Sequence, residues 1–249
     1  MWQMRLDPLA TGREDMPHAS ETAMTDDTTR DPVNAHGYEV QKRIGPTRLG
    51  VHKNWEWYDD PKRVMFSLSR YKFVSKMFEG RKNVLEFGCG DGWNAPIVKQ
   101  GVEKLTITDF DPAYIADAKE RMRDKWPYDA YVVDITKDPI PAGPYDGIYS
   151  LDVMEHLPKE WDNLVVRKLC DALTPDGSII IGMPSLESQV YASAASKEGH
   201  INCKTAPDMK VLMQKYFHSV FMFSMNDEVV HTGYHKMAHY IIALCAHKR

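Results

Sequence analysis

The sequence has no closely spaced cysteine pairs and no long apolar runs. Its 249 residues include four cysteines, which lie far apart, form no CxxC pair and join no His/Cys cluster at zinc-ligand spacing. This pattern is typical of reduced thiols in the cytoplasm and excludes a disulfide framework. No apolar run approaches the roughly 20 residues that cross a bilayer, and the start lacks the apolar core of a signal peptide. We therefore expect a cytoplasmic protein that makes no membrane contact.

The sequence also lacks a surplus of positive charge, since 31 basic side chains stand against 35 acidic ones for a net charge of −4. This balance argues against a protein that binds nucleic acid through a broad basic face. We therefore expect a small molecule rather than a nucleic acid as the partner, and a homodimer stays open. At about 150 residues per domain, the length predicts one large domain with an appendage or two small domains.

Composition and periodicity divide the chain into three segments. Residues 1–35 are rich in Thr, Asp, Arg and Pro and have few periodic apolar positions, so we expect a disordered N-terminal segment. Residues 36–80 are expected to form an N-terminal helical segment, because apolar residues from Val64 to Phe78 recur at helical spacing. Residues 81–249 form the main domain.

Strand-like and helix-like runs alternate in the main domain. The strand-like runs lie at residues 83–87, 104–110, 130–135, 146–152 and 178–184. Parallel strands need crossover connections, which are usually helices, so the alternation predicts the doubly wound α/β class with a mostly parallel sheet. Two further strand-like runs, HSVFMFSMN and AHYIIALCA, follow near the C-terminus.

A glycine-rich turn follows the first of these strands, with Gly88, Gly90 and Gly92 at alternate positions. Glycines let the backbone turn sharply and approach a ligand that a Cβ would block, although a tight strand-to-helix turn would also explain them. A dinucleotide fingerprint needs a glycine where Trp93 stands, and the Lys-Ser/Thr pair of a P-loop is absent. The pattern acidic-x-G-x-G-x-G, opened by Glu86, resembles motif I of class I S-adenosylmethionine-dependent methyltransferases.

This resemblance covers about residues 60–249. It implies a Rossmann-like sheet of seven strands with an antiparallel last strand, a methyltransferase domain over residues 81–249, and S-adenosyl-L-methionine as the cofactor. In that family the acid of motif I lies beneath the methionine amino group, and the N-terminal segment, here residues 36–80, often folds over the site as a lid. Arg70, in the helix before motif I, is a candidate to meet the methionine carboxylate, with a solvated arginine on a helix face as the alternative. The cofactor-binding residues that the resemblance implies are Arg70, Glu86, Gly88, Cys89, Gly90, Gly92, Asp109, Phe110, Asp134, Ile135 and Leu151.

The second strand ends in two acids with different expected roles. Asp111 precedes Pro112, which is typical of a helix N-cap with proline in the first turn. Asp109 has no such explanation and lies 21 residues after Gly88, about where an α/β nucleotide site presents an acid to the ribose hydroxyls. In the resembled family this acid binds both hydroxyls, while Asp134 and Ile135 correspond to residues near the adenine. A solvated acid at a strand end remains the alternative for Asp109 and Asp134.

The fourth strand leads into the run Asp152-x-x-Glu155-His156. His156 is a candidate general base, because its unperturbed pKa lies near neutrality, or a structural histidine bonded to a backbone carbonyl. The run is similar to one in ubiquinone-pathway O-methyltransferases, where an acidic residue, a Glu and a His contact a divalent ion. Here Asp152 replaces the longer Glu of that family, and we expect no metal.

A long polar loop follows the fifth strand and ends near His200. A loop of this length inside a compact domain is usually functional, and its hydroxyls and amides favour an acceptor such as a sugar or polyol. The Gly-His pair resembles the segment that carries an active-site histidine in several small-molecule methyltransferases. We expect His200, ahead of His156, to be the catalytic base, with a histidine near a helix start as the alternative.

The sequence therefore predicts a methyltransferase that acts on a hydroxyl of a small polar, carbohydrate-like metabolite. The residues expected on the acceptor side are Trp57, Tyr58, Asp152, His231 and His235. Two other classes stay open, namely an NAD-dependent epimerase or reductase on a similar sheet and a non-catalytic methyltransferase-like scaffold.

Overall fold

The computed structural model describes residues 29–249, except for the side chain of Ala195. Most of the segment predicted to be disordered, residues 1–35, lies outside this range. The chain divides into two compact units, one ending at Pro46 and the other spanning Thr47–Arg249. In the first unit, Asp31 caps a short 3-10 turn by accepting a hydrogen bond from the Val33 amide at 3.0 Å, and a helix follows.

The helices of the described residues lie between and before the strands, as the alternation predicts. Their bounds are α1 (Ala35–Ile44), α2 (Val51–Asp59), α3 (Lys62–Met77), α4 (Ala95–Lys99), α5 (Pro112–Arg121), α6 (Asp162–Ala172), α7 (Ala194–Gly199) and α8 (Ala206–Gln214). Among the described helices, none has both the length and the apolarity that a bilayer crossing requires.

The strands of the second unit form a single sheet. Their bounds are β1 (Asn83–Phe87), β2 (Lys104–Asp109), β3 (Asp129–Val132), β4 (Tyr145–Leu151), β5 (Leu173–Pro184), β6 (Phe217–Asn226), β7 (Val229–His231) and β8 (Tyr240–Lys248). The strand order is β3-β2-β1-β4-β5-β8-β6-β7, and β1 to β5 pair in parallel. The doubly wound, mostly parallel α/β class is confirmed, and so is the antiparallel last strand, since β8 runs antiparallel to both β5 and β6.

The predicted count of seven strands is wrong by one within residues 29–249, where the sheet has eight. The additional strand is β7, which lies in what the sequence presents as a loop. Its residues pair with the end of β6, with Asn226 opposite Val229 and Ser224 opposite His231. Only the two residues between β6 and β7 make the turn, and Asp227 there has a positive φ of 50°. The loop therefore closes as a tight hairpin.

The central strands are apolar because helices cover both faces of the sheet. Val84 and Leu85 are adjacent in β1, are both fully buried, and belong to two different apolar clusters. Successive strand side chains point to opposite faces, so each cluster fills one face. The carboxyl ends of β1, β2, β4 and β5 consequently lie along one edge, from which the loops that carry the predicted site residues emerge.

Helix α2 is anchored to the glycine-rich turn. The backbone amides of His52 and Lys53 donate to one carboxylate oxygen of Asp91 at 2.8 and 3.0 Å. A Cβ on Gly50 would lie 2.2 Å from that carboxylate, so only glycine allows this approach. The first turn of α2 therefore receives its cap from the loop that follows β1.

Candidate active site

The glycine-rich turn after β1 adopts a conformation that its glycines make possible. Gly88, Gly90 and Gly92 have positive φ values of 77°, 55° and 63°. A Cβ at Gly88 would lie 2.2 Å from Val153, and one at Gly92 would lie 2.7 Å from Ile107. A Cβ at Gly90 would meet no atom of residues 29–249 within 4 Å. The outer two glycines therefore permit close packing, whereas the middle one leaves bare backbone beside open space.

Asp109, at the end of β2, binds this turn directly. One of its carboxylate oxygens accepts a hydrogen bond from the Gly90 amide at 2.8 Å, and the other accepts one from the Asp111 amide at 3.0 Å. Burial raises the pKa of Asp109, and the backbone hydrogen bonds oppose that shift. Asp111 caps α5 by accepting from the Ala113 amide at 2.8 Å, which confirms its predicted role. The sequence did not reveal that Asp109 also holds the glycine turn.

Glu86 lies next to the turn at the end of β1 and is 1% exposed. The Tyr71 hydroxyl donates to one of its carboxylate oxygens, and the Tyr149 hydroxyl donates to the other at 2.8 Å. Burial raises the pKa of Glu86 to about 7, although the two hydroxyl donors lower it. Sequence reasoning missed both tyrosines, since nothing in their spacing connects them to Glu86.

Arg70 and Asp152, which the sequence assigns to different ligands, form one ion pair. Nη1 of Arg70 donates to both carboxylate oxygens of Asp152, at 2.9 and 2.7 Å. The guanidinium lies 3.8 Å from the centre of the Tyr240 ring, a cation–π contact. Its Nε is buried and has no hydrogen-bond partner among the described residues. Asp152 has a positive φ of 59°, a conformation that its short polar side chain tolerates.

The other predicted cofactor residues are either buried in the core or lie nearer the surface at strand ends. Cys89, Ile135 and Leu151 are buried and pack in the two apolar clusters. The carboxylate of Asp134 is engaged in its own turn, where it accepts from Lys137 Nζ at 2.7 Å. Phe110 is 76% exposed beside the β2 end, so its ring is available to a ligand.

His156 and His200 meet although they are distant in sequence. Their ring centres lie 5.2 Å apart at an angle of 63°. Nδ1 of His156 donates to the Gly199 carbonyl at 2.9 Å, and Nδ1 of His200 donates to Oε1 of Gln189 at 3.0 Å. In the neutral form of each ring this leaves Nε2 with its lone pair. Burial lowers the pKa of His200, and the neighbouring His156 lowers it further.

Glu155 completes this cluster, which we call the His–Glu cluster (Glu155, His156 and His200). Its side chain is fully buried, and neither carboxylate oxygen has a hydrogen-bond partner among residues 29–249. Burial raises the pKa of Glu155, and the charge of Asp152 raises it further. One potential ligand atom from each of the three residues lies within 4.8 Å of the others.

A buried polar network holds the two halves of the cluster together. The Asn202 amide donates to the Glu155 carbonyl at 2.9 Å, and its side-chain amide donates to Asp162 at 2.9 Å. Lys204 Nζ donates to the other oxygen of Asp162 at 2.8 Å. These bonds attach the segment after α7 to the turn after β4, so the position of His200 is set by packing. Sequence reasoning missed Asn202, because a lone asparagine carries no motif.

The remaining acceptor-side candidates make contacts of their own or are exposed. Both ring nitrogens of His231 are used within its hairpin, since Nε2 bonds Asn226 Oδ1 at 2.8 Å and Nδ1 accepts from the Gly233 amide at 2.9 Å. The ring of His235 contacts that of Tyr234, with centres 5.7 Å apart. Two further candidates, Trp57 and Tyr58, are 57% and 90% exposed on α2.

Residues 57–216 match the sequence model of a family described as a methyltransferase domain. The chain belongs to this methyltransferase family. The predicted membership of the class I S-adenosylmethionine-dependent methyltransferase family is confirmed, and the cofactor of that family is S-adenosyl-L-methionine.

Relatives and solved structures agree with this assignment. A probable S-adenosylmethionine-dependent methyltransferase of Mycobacterium tuberculosis H37Rv is 26% identical over 106 residues, which are 42% of this chain and 36% of that protein. A Mycolicibacterium smegmatis relative described in the same terms is 27% identical over 117 residues, 46% of this chain and 42% of that protein. These matches span less than half the length of either relative.

Among solved structures, the N-methyltransferase NodS of Bradyrhizobium japonicum WM9 in complex with S-adenosyl-L-homocysteine has a TM-score of 0.59 and 16% identity. The alignment covers 84% of this chain and 97% of NodS. A TehB-like methyltransferase of Corynebacterium glutamicum has a TM-score of 0.57 and 18% identity, covering 88% of this chain and all of that one. At these identities the likeness shows the fold.

The residues at the β1 and β2 ends fit the cofactor. The bare backbone at Gly90 leaves space that a Cβ would fill, as a bound nucleoside requires. The Asp109 carboxylate lies beside that space and can accept hydrogen bonds from ribose hydroxyls. Glu86 is buried directly behind the turn, where its carboxylate would stabilise a positively charged amino group.

Proposed function

We propose that the protein transfers the methyl group of S-adenosylmethionine to a hydroxyl of a small polar, carbohydrate-like acceptor. The observation that carries this proposal is the His–Glu cluster at the carboxyl edge of the sheet, beside the glycine turn. Val153, which precedes the cluster, packs so closely on Gly88 that no Cβ would fit between them. The acceptor would therefore lie between this cluster and the methyl donor.

The cluster is suited to removing a proton from the acceptor. S-Adenosylmethionine supplies an electrophilic methyl group on a sulfonium, and a hydroxyl that attacks it must lose its proton. A positioned base typically contributes about 10² to 10⁴ in rate. In the neutral form of each histidine the proton lies on Nδ1 and Nε2 is free to accept, and burial lowers the pKa of His200, which favours its neutral form.

The polarity of the cluster supports a polyhydroxyl acceptor. The free atoms of the cluster, two imidazole nitrogens and two carboxylate oxygens, are hydrogen-bond acceptors unless Glu155 is protonated. A ligand with several hydroxyl donors would satisfy them. The polar loop after β5 offers fewer free hydroxyls to an acceptor than its composition indicates, because the Ser188 hydroxyl donates to the Ser185 carbonyl and Ser193 caps α7.

Two measurements test the proposal in order. S-Adenosylhomocysteine should raise the melting temperature of the protein, whereas NAD should not, because the turn and Asp109 fit an adenosine site without the third fingerprint glycine. A panel of nucleotide sugars and polyols is then screened for release of S-adenosylhomocysteine. Stabilisation by NAD alone would refute the cofactor assignment, and a panel that yields no turnover would refute the acceptor class.

On an acceptor found in this way, His200→Ala should lower kcat by about 10² to 10⁴ and leave the affinity for S-adenosylhomocysteine nearly unchanged. The matched control is His218→Ala, since His218 is an exposed histidine of β6 outside the site. A His200→Ala variant that turns over at the wild-type rate would exclude His200 from the reaction.

A further inference from the structure

We propose that the His–Glu cluster binds a divalent transition-metal ion, with Zn²⁺ as the best-suited ion, through Glu155, His156 and His200. This inference revises the sequence-based expectation of a metal-free site. It also adds a ligand, His200, that lies 44 residues beyond His156 and that no local motif includes. Three features of the cluster carry it.

The first feature is the unpartnered carboxylate. Glu155 is fully buried and both of its oxygens lack a hydrogen-bond partner among the described residues. A buried carboxylate without donors must either be neutralised or be bound by a cation. The nearby cation Arg70 is already committed, since its Nη1 pairs with both oxygens of Asp152. Glu155 therefore lacks a partner that a metal ion would supply.

The second feature is the orientation of the two histidines. Each ring donates its Nδ1 proton to an oxygen, namely the Gly199 carbonyl for His156 and Gln189 Oε1 for His200. The amide of Gln189 is itself oriented, because its Nε2 donates to the Ser185 carbonyl at 3.2 Å. Metal-bound histidines almost always make such an outer hydrogen bond, which fixes the ring and leaves the other nitrogen for the ion.

The third feature is convergence on one point from a rigid frame. One ligand atom of each residue, a ring nitrogen of either histidine and a carboxylate oxygen of Glu155, lies within 4.8 Å of the others. Bonds of about 2.0 to 2.2 Å to a tetrahedral ion would place these atoms about 3.4 Å apart, an approach of up to about 1.4 Å. The Asn202 and Asp162 bonds already fix the two segments that carry the ligands. Two imidazoles and a carboxylate favour Zn²⁺ over Mg²⁺ or Ca²⁺, and three ligands leave a position open.

The open position gives the ion a role that rests on the proposed methyl transfer, and in this role the ion replaces the histidines as the group that activates the acceptor hydroxyl. An acceptor hydroxyl bound there would have a lowered pKa, as water does on Zn²⁺. Its proton would pass to solvent, the oxygen–methyl bond would form, and the carbon–sulfur bond would break to leave neutral S-adenosylhomocysteine. The two imidazoles would then serve as ligands of the ion, and the ion would stabilise the alkoxide.

Metal binding can be measured without acceptor or cofactor. The full chain, treated with a chelator and desalted, is titrated with Zn²⁺ by calorimetry or by competition with a chromophoric chelator. We expect one equivalent of Zn²⁺ to bind. We expect Glu155→Gln and His200→Asn each to lower the Zn²⁺ affinity by about tenfold to a hundredfold, as changes at metal sites typically do. The control His218→Asn should bind as the wild type does, because His218 is an exposed histidine outside the cluster.

The thermal shift produced by S-adenosylhomocysteine reports whether each variant is folded, since neither substitution alters the cofactor residues. The inference is overturned if folded wild-type protein binds no Zn²⁺ at about 100 µM, which corresponds to a weak site. It is also overturned if Glu155→Gln and His200→Asn bind Zn²⁺ as tightly as the wild type. Turnover that is unchanged after metal removal would refute the ion's role in the reaction and leave the proposed function standing. Stoichiometric binding without any methyl transfer would refute the proposed function alone.

Discussion

The buried carboxyl of Glu86 should make the stability of the protein fall as the pH rises from about 4.5 to about 7. Burial raises the pKa of Glu86 from 4.5 to about 7 in the folded state. Between these two values the folded protein keeps a proton that the unfolded chain has lost. The unfolded state then binds fewer protons, so the free energy of unfolding decreases with pH across this window and levels off above it.

The magnitude follows from the size of the shift. Each pKa unit corresponds to about 1.4 kcal/mol, so a shift of about 2.5 units is worth about 3.5 kcal/mol over the whole titration, of which about 3 kcal/mol is lost between pH 4.5 and pH 8. The assay is urea unfolding at pH 5 and pH 8 for the wild type and for Glu86→Gln. The glutamine keeps a partner for the Tyr71 and Tyr149 hydroxyls but does not titrate.

Subtracting the variant from the wild type removes the contribution of all other titrating groups. We expect the wild type to lose about 3 kcal/mol more than Glu86→Gln does between the two pH values. Equal losses in both proteins, or a wild type that gains stability relative to the variant, would refute the assignment of a raised pKa to Glu86. A cofactor amino group favours the ionised carboxylate, so wild-type affinity for S-adenosylhomocysteine should fall about tenfold per pH unit below 7.

Three further predictions concern the glycine turn and the frame of the site. Asp109→Ala should weaken S-adenosylhomocysteine binding by about 2–3 kcal/mol, which is a thirty- to a hundredfold loss of affinity in a titration. Asp111→Ala should instead lower the free energy of unfolding by about 1 kcal/mol, because the helix cap is lost. An exchange of these two phenotypes would contradict the roles of the two acids. Gly92→Ala should lower the free energy of unfolding by about 1–3 kcal/mol, because its Cβ would collide with core side chains at a positive φ. Gly90→Ala, whose Cβ meets open space, should lower it by about 1 kcal/mol and should also reduce cofactor affinity. Equal melting temperatures of the two variants would contradict this difference. Asn202→Ala should lower the free energy of unfolding, measured by chemical denaturation, by about 1–3 kcal/mol, because its hydrogen-bond partners lose their bonds. The same variant should bind Zn²⁺ more weakly. An unchanged Zn²⁺ affinity would show that this network does not position His200.

Much of the fold is predictable from the sequence because it depends on local periodicity. The alternation of apolar strands with helical runs determines a parallel sheet, since each strand must be followed by a crossover. The cap at Asp111 and the glycine turn are also local, because they depend on φ preferences and on side chains that reach only a few residues away. The short strand β7 was missed because three residues carry little periodic signal, and its pairing with β6 supplies what propensity does not.

The candidate site depends on contacts between distant segments. Sequence reasoning identified Asp109, His156 and His200 individually, because acids and imidazoles at strand ends indicate chemistry wherever they occur. It could not pair Arg70 with Asp152, which lie 82 residues apart and meet only when α3 packs beside the end of β4.

The sequence by itself determined the class of sheet, the glycine turn and the family to which the chain belongs, since these are written in residues close together along the chain. Only the tertiary structure decided which polar groups are satisfied. It enclosed Glu86 with two tyrosine donors and left Glu155 with none, although both are glutamates near the ends of neighbouring strands. The physical reason is that burial and hydrogen-bond partners depend on how the whole chain packs, and these two quantities set the charge and the chemistry of a carboxylate.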